Sequence, residues 1–457
     1  MGGAPDIPMR RSMTTTGRRT LVVLLAAGAV AAPAMLLRAL CVGRSCDRPS
    51  AAQAPVPFCS LPSGLRDQVA AGFRDGRSPD LLAVTGSRSV AGSTGLKAEG
   101  PPPAWPSTSR PEPEEVPLAF WGAGVRRGTI DGAPTLADVA PTIAALIGLD
   151  RPHPGVRTGT EIPGVAGSPD HPRLVLEVIL KGLGSDDLRA APPEDWPILG
   201  RLMDEGAATT RATPGSLPLD PAAEVATLGT GGLPSDHGIT GTLVRNDNGR
   251  LVRAWGRGAP FSVIATLGDD LDQLNGERPL IGLVGTDVTD RGAIGGNWYV
   301  DNDRDDVAIG TASALAEAAA AERLLGGGYG ADGMTDLLVV ATDDSLGRAD
   351  RALGSLVDEA RRAAGGSLTV VVAGTGSARA GRVVSATSVE RRVERSVGSN
   401  VVEATALGGL FLDQHVLARA GLSKDVALRA LLDLRAGGRP VMADAFPAIA
   451  VSLVRYC

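Results

Sequence analysis

The stretch RLVLEVILKGLG, from Arg173 to Gly184, indicates the fold more clearly than any other part of the sequence. Its first part, Arg173 to Leu180, is strongly apolar, which is typical of a strand that is buried on both faces of a sheet. The run leads into a turn that contains Gly182 and Gly184, and the spacing of apolar residues after it predicts a helix from Trp196 to Gly206. The stretch therefore predicts a strand, a turn and a helix in succession.

Similar units recur along the chain. Further strands are predicted at Asp80–Thr85, Val116–Trp121, Ser262–Leu267, Pro279–Val284, Leu337–Ala341 and Leu368–Ala373. Further helices are predicted at Leu61–Phe73, Thr135–Leu149 and Arg348–Ala364. Short apolar strands that alternate with helices predict an α/β fold, with a mainly parallel sheet sandwiched by helices.

The composition limits the classes of function. The chain has 457 residues, of which 43 % are hydrophobic and 21 % are charged, as expected for a globular protein. Its net charge of −6 offers no attraction for a phosphate backbone, and only 3 % of its residues are aromatic. Both features speak against a nucleic-acid partner, because such proteins need basic surfaces and rings for base stacking.

The N-terminal region carries an export signal. Four arginines precede an uncharged run from Thr20 to Leu37, and Arg38 closes it. Its length lies between a secretory apolar region of roughly 7–15 residues and a spanning helix of about 20. Residues 1–40 are therefore read as a signal peptide or a membrane anchor, and 41–58 as a linker. Either reading predicts an extracytoplasmic protein, secreted or anchored by this single segment, which is its sole expected contact with the membrane.

Four cysteines in an exported chain predict disulfide bonding. Cys41 and Cys46 lie in the linker, Cys59 opens the globular part, and Cys457 is the last residue. Three pairings are open, and the one between Cys59 and Cys457 is favoured because it would join the two ends of the domain. That domain is predicted to be a single unit over 59–457, with an insertion at about 240–330.

Several segments resemble the alkaline phosphatase superfamily, and in particular its nucleotide pyrophosphatase/phosphodiesterase branch. The opening of that family is similar to LVLEVILKGLGSDDL, WPILGRLMDEGA and ATLGTGGLPSDHGITGT, which occur in the expected order. Its later segments are similar to LLVVATDDSLGRADRALGSLVDEARRA and TVVVAGTGS. The segment VPLAFWGAGVRRGTIDGAPTLADVAPTIAALIGL resembles one near the family's C-terminus, yet here it comes first. The resemblance thus implies a permuted chain; a duplicated fragment is the alternative, disfavoured because neither half contains a full sheet.

The resemblance implies a site in which two zinc-like ions activate a Ser or Thr nucleophile. Lys181 stands where the family has its first metal carboxylate, and the nucleophile position falls on Asp220. The next metal segment retains one carboxylate, at Asp343 or Asp344, while the following one has become Ala373–Gly376 without ligands. Since an ammonium does not ligate a cation, we expect no resident metal or other cofactor.

Three residues remain as candidates at this site: Lys181, Asp343 and Asp344. The simplest interpretation of Lys181 is a solvated charge at a strand end. The alternative is that its ammonium takes the space of a lost metal and pairs with Asp343 or Asp344.

A second reading uses Asp236 and His237. Their surroundings match the turn beside the family's nucleophile helix, which implies no metal role. If they did act together with Asp343 and Asp344, they would form an atypical site for zinc or another divalent ion.

The sequence therefore predicts an exported, non-catalytic envelope protein with a binding or scaffold role and an unidentified partner. The alternative function is a metal-dependent phosphodiesterase or phosphatase.

Overall fold

An eight-stranded sheet is the centre of the computed structural model, which describes residues 57–86, 89–90, 114–167, 170–296, 298–299, 304–376 and 382–457. These residues belong to one unit that spans 55–457. The predicted export segment, the linker residues before 57, and Cys41 and Cys46 lie outside the described residues. Within the described ranges, no helix has the length and apolarity needed to cross a bilayer.

The strands are numbered along the chain. They are β1 Leu81–Thr85, β2 Ser89–Val90, β3 Val116–Gly122, β4 Gly128–Thr129, β5 Leu174–Leu180, β6 Ala207–Ala212, β7 Leu243–Arg245, β8 Leu251–Arg253, β9 Ile281–Gly285, β10 Asp306–Ile309, β11 Asp336–Thr342, β12 Leu368–Gly374, β13 Arg382–Val383, β14 Val402–Ala406, β15 Gly409–Leu412, β16 Arg435–Ala436, β17 Arg439–Pro440 and β18 Met442–Pro447. The α-helices are Ser63–Ala71, Val139–Ile147, Ser185–Ala190, Pro197–Glu205, Pro221–Thr230, Pro234–His237, Leu267–Asn275, Ala314–Leu325, Leu346–Ala363, Ala386–Val397, Gln414–Ala420, Lys424–Leu432 and Ala448–Ser452. Short 3₁₀ helices span Pro57–Ser60, Leu136–Asp138, Pro154–Val156, Pro193–Asp195, Val288–Ala293 and Val454–Tyr456.

The central sheet has the strand order β10-β9-β11-β5-β12-β3-β6-β4. Every neighbouring pair is parallel except the two pairs that include β3. The sheet is thus mainly parallel, and the α/β fold class predicted from the sequence is confirmed. The strand predicted at Val116–Trp121 pairs with β12 and so shares the sheet of β5 rather than forming a separate domain.

Helices cover both faces of this sheet, which explains why its inner strands are mostly apolar. One face packs against the helices Val139–Ile147, Pro221–Thr230 and Leu267–Asn275. The other packs against Pro197–Glu205, Ala314–Leu325 and Leu346–Ala363. Strand β5 is buried at all seven positions, as a strand between two helical layers must be.

A smaller antiparallel sheet has the order β14-β15-β1-β18. It combines β1 with strands from the last 60 residues, so the two ends of the described chain meet here. The side chains of Phe58 and Phe446 pack with their ring centroids 5.0 Å apart. Nearby, Cys59 and Cys457 form a disulfide with a Cα–Cα distance of 5.2 Å, the pairing favoured from the sequence.

One predicted strand does not form. The strand predicted at Ser262–Leu267 is wrong: 262–266 is a loop, and Thr266 caps the helix Leu267–Asn275 by accepting a hydrogen bond from Asp269 N. The run SVIATL is mostly buried although 262–266 forms no strand. The region 240–330, predicted as an insertion, contains β9 and β10, the outermost two strands at one edge of the central sheet.

Candidate functional site

The carboxyl ends of the inner strands create the candidate site. Leu174–Leu180 in β5 pairs residue for residue with β11 on one side and with β12 on the other. The residues that follow these strands, Lys181, Asp343 and Thr375, therefore leave the sheet next to one another. In parallel α/β sheets, this edge is where ligands generally bind.

Lys181 is the positive charge of this edge. Its Nζ donates hydrogen bonds to both carboxylate oxygens of Asp290, at 2.8 and 2.9 Å, and to Thr286 Oγ1 at 2.5 Å. The lysine side chain is 7 % exposed and that of Asp290 is 1 % exposed. The prediction of a solvated charge is therefore wrong. The alternative was right that Lys181 is paired, but the partner is Asp290 rather than Asp343 or Asp344.

Asp290 is positioned by the turn after β9. Its Oδ2 accepts hydrogen bonds from the backbone N–H groups of Thr286, at 2.8 Å, and Asp287, at 3.0 Å. The 3₁₀ helix Val288–Ala293 then packs against the helix Pro221–Thr230. Gly229 allows this contact, since a Cβ there would lie 2.3 Å from a backbone carbonyl oxygen of Gly292. The carboxylate is thus held by backbone donors as well as by the ammonium.

The two candidate aspartates do not join this ion pair. Asp343 is exposed at the end of β11. Asp344 instead forms an ion pair with Arg348 at 2.5 Å, and its other oxygen accepts a hydrogen bond from Ala314 N at 3.2 Å. Burial tends to raise the pKa of Asp344, but the hydrogen bonds from Arg348, Ser345 and Ala314 outweigh it and lower the pKa. Asp344 thus fastens the start of a helix to the strand-end loop.

Glu317 is a buried acid at the same edge. It lies on the helix Ala314–Leu325 with no exposed surface, and its Oε2 has no hydrogen-bond partner. Burial raises its pKa to about 7. The sequence did not single out Glu317 or Asp290, because both lie in the region interpreted as an insertion, more than 100 residues from Lys181.

Asp220, which the family resemblance places at the nucleophile position, caps a helix. Asp220 accepts hydrogen bonds from Ala222 N at 3.0 Å and from Thr242 Oγ1 at 2.9 Å, at the start of the helix Pro221–Thr230. It is 3 % exposed, and burial raises its pKa. A carboxyl group in this role stabilises the helix start and presents no hydroxyl to a substrate.

Asp236 and His237 also have structural roles. Asp236 accepts hydrogen bonds from the backbone N–H and the hydroxyl of Thr158. His237 is fully buried; its Nδ1 accepts from Ile239 N, and its Nε2 contacts Thr227 Oγ1. Burial lowers the pKa of this imidazole to about 3, so it is neutral, and both of its nitrogens are engaged.

The other histidines lie away from this edge. His153, His171 and His415 are all exposed. His171 contacts the carbonyl oxygen of Leu146, and His415 is in the first turn of the helix Gln414–Ala420.

These side chains do not suit the two-zinc centre that the family resemblance implies. At the position that the resemblance assigns to the first carboxylate stands the ammonium of Lys181, and the imidazole of His237 is committed to internal hydrogen bonds. In the ranges that the structure describes, no three His, Cys, Asp or Glu side chains are grouped so that they would hold a metal. Asp236, His237, Asp343 and Asp344 consequently do not come together as the alternative site requires.

The segment after β12 contributes further polar side chains to this edge. Thr375 is 1 % exposed, and its Oγ1 accepts a hydrogen bond from Gly182 N at 3.0 Å. Glu224, one turn into the helix Pro221–Thr230, is 3 % exposed, and its Oε1 has no partner. Burial raises the pKa of Glu224 well above its usual value, and a hydrogen bond with Thr375 opposes the rise.

Comparisons with known proteins give little further guidance. No family model matches the chain, and no curated protein matches it. Among solved structures, it is similar to the crystal structure of wild-type alkaline phosphatase PafA, with a TM-score of 0.46 and 15 % sequence identity. The match covers 58 % of this chain and 77 % of that one.

Proposed function

We propose that this chain is an exported, non-catalytic protein with a permuted alkaline phosphatase-like fold, and that it binds or scaffolds a partner in the cell envelope. The observation that carries the proposal is the buried ion pair between Lys181 and Asp290 at the end of the central strand. According to the family resemblance, this position would hold a metal carboxylate. A cation in the same space would be repelled by the ammonium.

The remaining positions of the site support the same conclusion. Two-ion phosphoryl transfer needs roughly six ligands and an activated hydroxyl, because each ion must be held while a position stays open for substrate. At the nucleophile position, Asp220 is committed to capping a helix. One carboxylate, at Asp343 or Asp344, remains from the ligand set, and Asp344 is already paired with Arg348.

The arrangement of the chain supports the permuted connection. Strand β3 precedes the opening strand β5 in sequence but pairs with β12 in the same sheet. The two ends of the domain meet at the disulfide between Cys59 and Cys457. A disulfide between the ends also supports export, since such bonds persist in oxidising compartments.

Metal content and turnover test the proposal. The full-length protein, purified without chelator, is analysed for bound zinc and assayed with a generic aryl phosphodiester and an aryl phosphate. We expect no stoichiometric zinc and no turnover above background. Lys181→Asp should leave both results unchanged, because the nucleophile and the imidazole ligands are absent as well.

Two bound zinc ions per chain would overturn the proposal. So would turnover that is abolished both by chelator and by Asp343→Ala. Glu161→Gln, a substitution at an exposed loop residue, serves as the matched control for the variants.

A further inference from the structure

Glu317 is placed where its ionisation has structural consequences. Its side chain is completely buried at the carboxyl edge of the sheet. Oε1 lies 3.4 Å from Thr311 Oγ1, whose hydroxyl donates at 2.9 Å to the carbonyl oxygen of Gly285 at the end of β9, and Oε2 has no hydrogen-bond partner. An ionised Glu317 therefore has no cation of its own.

The helix that carries Glu317 packs against β9 and β11, and the groups that act electrostatically on its carboxyl group come from several elements. Lys181 follows β5, Asp290 lies on the 3₁₀ helix Val288–Ala293, and Asp343 and the hydroxyl of Thr342 come from the end of β11. The ammonium is the single positive charge among them, and Asp290 already binds it through both oxygens. Two buried carboxyl groups thus compete for one ammonium, and exposed Asp343 adds negative charge beside them.

We propose that Glu317 is a proton-operated switch for this edge of the sheet. When Glu317 is protonated, Lys181 stays bound to Asp290 and the turn after β9 keeps its hydrogen bonds; we call this the closed form. When it is ionised, it draws Lys181 away from Asp290 and loosens the turn that Asp290 holds.

That turn is 286–290, directly after β9. It is closed by the hydrogen bonds from Thr286 N and Asp287 N to Asp290, and Lys181 also binds the Thr286 hydroxyl. The ammonium of Lys181 therefore links this turn to the end of the central strand β5. Its displacement removes the side-chain link between the two.

The pH range of the switch follows from its surroundings. Burial raises the pKa of Glu317 to about 7; Thr342 and Lys181 oppose the rise, whereas Asp343 and Asp290 add to it. The protonated, closed form therefore prevails below about pH 7, and the ionised form above it. The switch does not depend on whether the chain is catalytic.

Hydrogen exchange measured by mass spectrometry tests this inference on the full chain. After correction for intrinsic exchange rates, amides of 286–290 in the wild type should exchange at least about tenfold faster at about pH 8.5 than at about pH 5.5. Glu317→Gln cannot ionise and should give equal protection at both pH values. Glu322→Gln, on the same helix, should behave like the wild type.

Asp343→Asn provides a second test that does not alter the buried group. Removing this nearby negative charge eases ionisation of Glu317, so the midpoint of the wild-type transition should move to lower pH. Protection that is independent of pH in the wild type would overturn the inference. An equal pH response in Glu317→Gln, or an unchanged midpoint in Asp343→Asn, would overturn it too.

Discussion

Glu177 is a carboxyl group in the middle of the central strand, opposite Val339 in β11 and Val371 in β12. It is 2 % exposed, and its Oε1 has no hydrogen-bond partner. Burial raises its pKa from 4.5 to about 7. The native state therefore keeps Glu177 protonated at pH values where the unfolded chain has already lost the proton.

This difference makes stability depend on pH. Between about pH 4.5 and about pH 7 the unfolded chain binds fewer protons than the native state, so the free energy of unfolding falls as pH rises. Each unit of pKa difference is equivalent to about 1.4 kcal/mol, so the difference between a pKa of 4.5 in the unfolded chain and about 7 in the native state lowers the free energy of unfolding by about 3 kcal/mol. Above about pH 7 both states are ionised at this position, and the loss is complete.

Glu177→Gln removes the titration while keeping the size of the side chain. At about pH 8.5 the variant should be more stable than the wild type, and this advantage should shrink by about 3 kcal/mol on going to about pH 4.5. Urea unfolding followed by circular dichroism at both pH values measures it, with Glu161→Gln as the exposed control. If Glu177→Gln changed stability by the same amount at both pH values, the reasoning would be refuted.

Three further variants address the site and the ends of the domain. Lys181→Met leaves Asp290 buried without its ammonium and should cost about 3–5 kcal/mol in urea unfolding; a loss below about 1 kcal/mol would contradict a buried ion pair. Asp220→Ala removes a helix cap and should cost about 1–2 kcal/mol by the same assay, whereas a neutral result would exclude a capping role. Replacing Cys59 and Cys457 together by Ala should lower the free energy of unfolding by about 2–5 kcal/mol, and peptide mapping of the wild type without reductant should recover the two cysteines linked.

The sequence was most informative where burial alone dictates the pattern. Strands such as β5 and β12 lie between two helical layers, so most of their residues are apolar, and their bounds were predicted to within one or two residues. The same criterion failed at Ser262–Leu267, since a buried loop and a buried strand have the same composition. It also missed β6, AATTRA, whose small and polar residues give no strong strand signal.

The site was predicted less completely because its contacts join distant parts of the chain. Lys181 was recognised from its unusual place at a strand end, but Asp290 is 109 residues away, and no spacing rule links the two. Asp220 was interpreted only as a replaced nucleophile, although an Asp followed by Pro221 at the first helical position is a sequence signal for a helix cap. A pairing across a sheet edge depends on strand order, which local patterns do not specify.

The most direct test of the account is a crystal structure of the protein soaked with zinc and phosphate. We predict that Lys181 Nζ stays within hydrogen-bond distance of both oxygens of Asp290, with no anomalous zinc peak at the carboxyl ends of β5 and β11. A zinc ion ligated by Asp343 and Asp290, with Lys181 displaced and phosphate bound to the metal, would contradict the account.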